Sequence, residues 1–197
     1  MVLLVSFHVL EWLVTAIMRP KELEFKSWLL NHSKEYTIAI LVSTVEYWLE
    51  YFLIPASWNF KGQSYFVMMG FFGSLFALII RCKAMFDCGS NFDHIPMMER
   101  KPDHELVTRG IYQYIRHPAY FGWFYWTLSS QLLLANPISF LGFSAASISF
   151  FRERIAVEEA FLFKFYGEKY EKYARSTFIG IPFVEGYMNS SKFREKD

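Results

Sequence analysis

Arg116-His117-Pro118-Ala119-Tyr120-Phe121-Gly122-Trp123 opens one apolar run, Asn136-Pro137 turns it, and Phe151-Arg152-Glu153-Arg154 closes the next. The runs between these markers, Tyr120–Ala135 and Ile138–Phe151, contain no charged residue. Two apolar stretches joined by so short a turn form an antiparallel helical hairpin. The second helix is expected to continue past Arg152 to about Phe165, where Gly167 supplies a stop signal. Ionisable side chains at the open end of the hairpin stand where charge is expensive, so they are expected to line a polar cavity or a site.

Three more apolar segments lie upstream, at Val2–Met18, Tyr36–Ile54 and Ser64–Ile80. Crossing the hydrocarbon core takes about 20 helical residues, and these segments approach that length. Basic residues test the layout of five spans. Of the 20 lysines and arginines, 19 fall in the 19–35 loop, the 81–119 segment and the tail from Arg152 onward, and Lys61 alone lies in the 55–63 loop. The split places the N-terminus outside and the C-terminus in the cytosol, with both marker motifs on the cytosolic face. The fold class read from this pattern is an all-α, polytopic membrane bundle of about five helices with a cytosolic cofactor-binding cap. Residues 1–197 are read as a single domain, 1–80 forming the first three membrane helices and 81–197 the catalytic region.

Composition agrees with this reading and excludes others. Hydrophobic residues make up 53% of the 197 and aromatics 20%, yet mean hydropathy is only +0.17, as a membrane bundle with a substantial polar part requires. A net charge of +1 offers no basic footprint for nucleic acid. Cys82 and Cys88 form no CxxC and lack zinc-ligand spacing, so free thiols on the reducing side of a membrane and no metal are expected. Met1 runs directly into an apolar segment with no basic leader or small-residue cleavage site, so no cleavable signal peptide is read.

Individual residues carry a functional and a plain reading. Pro118 suits the first position of a helix, whose unbonded N–H groups attract anions, whereas Arg116 and His117 could equally snorkel to headgroups. Gly110 and Tyr112 suit a ligand-hugging turn or an ordinary one. Arg154 and Glu158 share one helical face, either as an i,i+4 ion pair or with divided roles, Arg154 for an anionic substrate and Glu158 for a cationic group. Arg152 and Glu159 flank them. His8, Glu11, Glu46 and Glu50 sit within apolar segments and are expected to serve helix packing. No GxGxxG, P-loop, HExxH or nucleophile elbow is present.

At Gly89-Ser90-Asn91-Phe92-Asp93-His94, Leu106-Val107-Thr108-Arg109-Gly110-Ile111-Tyr112, Arg116-His117-Pro118-Ala119-Tyr120 through Trp126, Phe150-Phe151-Arg152-Glu153-Arg154, Glu158-Glu159 and Gly180-Ile181-Pro182-Phe183, the chain closely resembles the isoprenylcysteine carboxyl methyltransferase family. Upstream, Phe7-His8 and Leu29-Leu30-Asn31-His32-Ser33 resemble its animal members. The resemblance implies an enzyme of the endoplasmic reticulum membrane that transfers a methyl group from S-adenosylmethionine to the C-terminal carboxylate of prenylated CaaX proteins, such as Ras/Rho-type GTPases and lamins. It implies cofactor contacts at His104, Glu105, Leu106, Val107, Tyr112, His117, Pro118, Ala119, Tyr120 and Glu158, and a substrate-carboxylate contact at Arg154. Many relatives carry Gln where Met97 stands, and animal relatives carry membrane helices ahead of the position of Met1, so a shortened member is expected.

Three other readings stay open on the sequence. A phospholipid amine methyltransferase of the same fold would need an acidic group near the substrate amine rather than a carboxylate-binding arginine. A sterol reductase would carry a Cys-rich, Trp-containing tail, and residues 152–197 contain neither residue type. A scaffold that kept the fold and lost activity would show no turnover. A free α-carboxyl ionises near pH 3.3–3.7 and is already an anion at neutral pH, so the methylation requires no general base.

Overall fold

The computed structural model describes residues 2–20, 23–28, 33–55, 61, 63–96, 98–100 and 104–187. Met97 lies outside the described residues, as do parts of the 19–35 and 55–63 loops and the tail beyond Tyr187. Six α-helices follow in order: α1 Val2–Met18, α2 Lys34–Leu53, α3 Ser64–Cys88, α4 Pro118–Leu134, α5 Pro137–Tyr166 and α6 Glu168–Ser176. Among the described residues one stretch, Ser64–Asn91, is long and apolar enough by itself to cross a membrane.

The expected hairpin is α4 and α5, and α5 ends at Gly167, which adopts a positive φ of 53°. Helix α3 runs eight residues beyond the expected Ile80. The reason is Arg81, which does not have to leave the helix for water because Glu11 on α1 receives its Nε and Nη2. Helix α6 was not read from the sequence. It buries Tyr170 and Tyr173 and presents charge outward.

Helices α3 and α4 form the spine. Small residues let their backbones approach, as in membrane helix pairs. A Cβ at Gly70 would fall on the backbone of Leu133, and one at Gly122 would sit 2.8 Å from the Ala77 carbonyl. Phe7 of α1 stacks on Trp126 of α4 at 4.1 Å and packs with Ala77 and Leu78. A second cluster joins Phe124, Phe151 and Ile155 of the hairpin to Ile179, Ile181 and Val184 of the C-terminal segment. Large apolar side chains also point outward, among them Phe52, Leu53, Ile138 and Leu141.

The end of the bundle away from the marker motifs is sealed by polar side chains. Both oxygens of Glu46 accept N–H bonds at 2.7 Å, from Ile138 and Ser139, so a carboxylate occupies the N-terminus of α5. Lys61 meets Glu50 at 2.8 Å and Asn136 Oδ1 at 2.8 Å, and Asn136 donates to the Ser43 carbonyl. His8 bonds Trp28 O and Tyr36 Oη. Helix packing accounts for Glu46, Glu50 and His8; Glu11 has further partners.

Candidate functional site

The first turn of α4 is held from three directions. Ile115 forms an isolated parallel bridge with Phe178, through Arg116 N–H to Phe178 O and Phe178 N–H to Tyr114 O. Pro118 takes the first helical position, and His117 before it offers no side-chain cap. The His117 ring turns inward to Glu159 at 3.1 Å. Arg116 also binds Glu159 through Nε at 2.7 Å and the Thr177 carbonyl through Nη1 at 2.8 Å.

Glu159 is fully buried, and its other oxygen accepts the Tyr187 N–H at 2.7 Å. One carboxylate therefore ties α5 to the start of α4 and to the C-terminal segment. Burial alone would raise its pKa, but the hydrogen bonds and charges of His117 and Arg116 prevail and hold it at about 2. A Cβ at Gly186 would strike this carboxylate and come within 2.7 Å of Arg116 Nη2, so only glycine lets the segment close here.

The turn before α4 is fixed in a similar way. Gly110 has a φ of +60°, and the next N–H, of Ile111, donates to Asp87 Oδ2 at 2.7 Å. Any side chain at Gly110 would run into that carboxylate.

These anchors enclose a cavity between the 88–96 loop, residues 104–107, the start of α4, the end of α5, and α6. All ten residues marked by the resemblance for a cofactor, 104–107, Tyr112, 117–120 and Glu158, line it. Arg154 does not. It stands at the edge and reaches the cavity through Tyr120, whose hydroxyl donates to Glu158 Oε2 at 2.5 Å and accepts from Arg154 Nε at 3.0 Å. The plain reading of a direct i,i+4 pair between Arg154 and Glu158 is thus replaced by a bridge through a residue of α4. Arg154 Nη2 donates to the His94 carbonyl, and the guanidinium lies 5.5 Å from the Tyr120 ring centre.

Sequence reasoning missed the aromatic far wall. Tyr166 bonds the His104 carbonyl at 3.2 Å and Tyr173 the Tyr112 carbonyl at 2.8 Å, so α5 and α6 hold the two cavity loops by their backbones. Tyr170 is 1% exposed and its hydroxyl has no partner among the described residues; burial raises its pKa well above that of an ordinary tyrosine, so it stays protonated. Consecutive helical residues point about 100° apart, so Glu158 and Glu159 approach the His117 ring from different sides, Glu158 at 3.7 Å from Nδ1 and Glu159 at 3.1 Å from Nε2. Cys88 also lines the cavity. Among the described residues no group of three His, Cys, Asp or Glu side chains is placed to hold a metal ion. The cavity offers one carboxylate from α5, tyrosine rings on facing walls, and a length of irregular backbone at 104–107. These suit a ligand carrying a cationic group and a flat polar ring.

A sequence model of the isoprenylcysteine carboxyl methyltransferase (ICMT) family matches residues 68–164. A protein-S-isoprenylcysteine O-methyltransferase of Dictyostelium discoideum is 44% identical over 179 residues, 91% of this chain and 74% of that protein. The Homo sapiens protein of the same name is 42% identical over 180 residues, covering 91% of this chain and 62% of its own length. A solved structure described as the eukaryotic intramembrane Ras methyltransferase ICMT superimposes with a TM-score of 0.87 at 40% identity, over 92% of this chain and 64% of the other. The chain therefore spans less than two thirds of the human relative and of the solved chain.

Proposed function

This chain belongs to the isoprenylcysteine carboxyl methyltransferase family, and from that premise we propose that it esterifies the C-terminal α-carboxylate of prenylated cysteine, with S-adenosylmethionine as methyl donor. The single observation that carries the reading is the Tyr120 bridge: it joins a carboxylate on the cavity wall to a guanidinium at its edge, a cation site beside an anion site. The cavity fits the donor. Glu158 suits its amino group, the tyrosine rings its adenine, and the polar backbone of 104–107 the ring edge.

When bound, the donor supplies an electrophilic methyl group on a positively charged sulfur. The chain's own residues then bring the acceptor into line. Arg154 holds the carboxylate by a fixed fork of donors, and one nitrogen is already oriented by Tyr120. The acceptor is an anion at neutral pH, so no residue has to remove a proton. Good alignment of reacting groups lowers a barrier by on the order of 7–11 kcal/mol. Glu159, Arg116 and Gly186 shut the cytosolic side with the C-terminal segment and keep water out. The prenyl chain stays in an apolar medium, since each buried CH₂ is worth about 0.8 kcal/mol. A setting in the endoplasmic reticulum membrane with a cytosolic catalytic face, one membrane-embedded domain, and clients among Ras/Rho-type GTPases and lamins belong to the same proposal.

The test uses membranes containing this chain, labelled S-adenosylmethionine and N-acetyl-S-farnesylcysteine, with base-labile methyl ester as the product scored. Ester formation that vanishes in Arg154→Ala supports the proposal. Absence of ester with the unaltered chain refutes it.

A further inference from the structure

Beside Arg154 lies a second buried polar cluster that the reaction above leaves unused. Glu11, on α1, is 2% exposed. Its carboxylate receives Arg81 of α3 through two nitrogens, and it lies 3.1 Å from Nε2 of His94. The remaining Arg81 nitrogen, Nη1, donates to the Ala119 carbonyl at 2.9 Å, in the first turn of α4. The backbone carbonyl of His94 accepts from Arg154 Nη2. One carboxylate on the first helix thus controls both the helix start that lines the cavity and the loop residue that grips the arginine.

Stability is a weak reason for such a cluster. Replacing a buried ion pair by packed apolar groups is often neutral or stabilising, and charge among membrane helices is costly. What the cluster supplies is position. A guanidinium on a flexible stem samples many orientations, and two of the three Arg154 nitrogens are fixed, Nε by Tyr120 and Nη2 by His94. Nη1 has no protein partner among the described residues. Among the described residues between Cys88 and Pro118, the loop that carries His94 contains no α-helix to hold it in place. The His94 ring supplies the anchor, packed edge-on to Phe92 at 5.2 Å and bonded to Glu11.

We infer that Glu11 and His94 are positioning residues for Arg154: the Glu11–His94 bond fixes the His94 carbonyl, and that carbonyl sets which edge of the guanidinium meets the acceptor carboxylate. The inference rests on the carboxyl methyltransferase reading above. Neither residue lines the cavity, and Glu11 also steadies the start of α4 through Arg81, but His94 meets the site only through its carbonyl on Arg154, so the effect of replacing His94 falls on the acceptor and not on the donor.

The experiment is steady-state methylation of N-acetyl-S-farnesylcysteine by the full chain in membranes, with S-adenosylmethionine affinity measured separately. Removing one charge-assisted hydrogen bond in His94→Leu raises the acceptor KM by about tenfold and leaves donor affinity in place. His94→Gln keeps an N–H for Glu11 and restores most of that loss. The amide analogue of the acceptor has no carboxylate for Arg154, so its inhibition constant stays the same in wild type and His94→Leu. An unchanged acceptor KM in His94→Leu overturns the inference, as does equal weakening of acceptor and donor, or equal weakening of acid and amide. If the unaltered chain forms no ester, the methyltransferase reading falls first and takes this one with it.

Discussion

Replacing Glu159 by alanine takes the acceptor from three donors, the buried His117 Nε2 at 3.1 Å and the half-buried Arg116 Nε and Tyr187 N–H at 2.7 Å each. Removing one partner of a buried ion pair costs about 3–5 kcal/mol, because the other charge stays behind uncompensated. The depressed pKa gives a second figure. A fall from the ordinary 4.5 to about 2 corresponds to about 3 kcal/mol favouring the folded state. Full burial means that solvent screening does not shrink it. A loss of that size in a chain this long lowers the unfolding midpoint by about 6–12 °C. The folded pKa is lower than the unfolded one, so this stabilisation is fully present above about pH 4.5 and is lost as pH falls towards 2. The assay is thermal unfolding of detergent-solubilised wild type and Glu159→Ala across pH 3 to 7, paired with S-adenosylmethionine binding. The gap in midpoint is expected to be widest near neutrality and to narrow in acid, and donor affinity is expected to fall because Arg116, His117 and Pro118 line the cavity. The double variant Glu159→Met with Arg116→Met regains part of the lost stability, since no charge is then stranded. A Glu159→Ala protein with wild-type midpoint and wild-type donor affinity would refute the reasoning.

Arg154→Ala is expected to lower methylation by about 100-fold or more while donor binding persists; equal loss of both removes the division of roles. Glu158→Ala is expected to weaken donor binding by about tenfold or more in equilibrium titration, and unchanged affinity would leave Glu158 as no more than the partner of Tyr120. Gly110→Ala forces a side chain onto a φ of +60°, at about 1–2 kcal/mol before any collision with Asp87, and the thermal midpoint should fall accordingly. Glu46→Ala strips two N–H groups of their acceptor at the far end of the bundle, about 1–3 kcal/mol each. Its signature is lost stability with unchanged KM values in the protein that remains folded; altered KM values would tie that end to the site.

The hairpin, the start of α4 at Pro118 and the stop at Gly167 were legible because each depends on residues adjacent in sequence. Apolar runs, a proline that needs no N–H partner and a glycine able to take positive φ act locally. The end of α3 was not legible: a reader of the sequence sees Arg81 as the edge of the apolar run, and only its partner on α1 shows why the helix continues. Helix α6 was hidden for a related reason. Its tyrosines pack under a site built from other elements, and its charges resemble those of any exposed tail.

Within the site, the sequence by itself determined which chemical groups are present and that they gather near one face, through a motif pattern that covers most of the chain. Tertiary structure alone decided which acid faces the cavity and which locks the C-terminal segment, that Tyr120 stands between Glu158 and Arg154, and that Glu11 on the first helix reaches Arg81 and His94. Those assignments pair side chains up to 83 positions apart. Hydrogen bonds form only within about 3 Å, a scale that sequence spacing cannot resolve until the packing of α3 against α4 fixes where every other element lies.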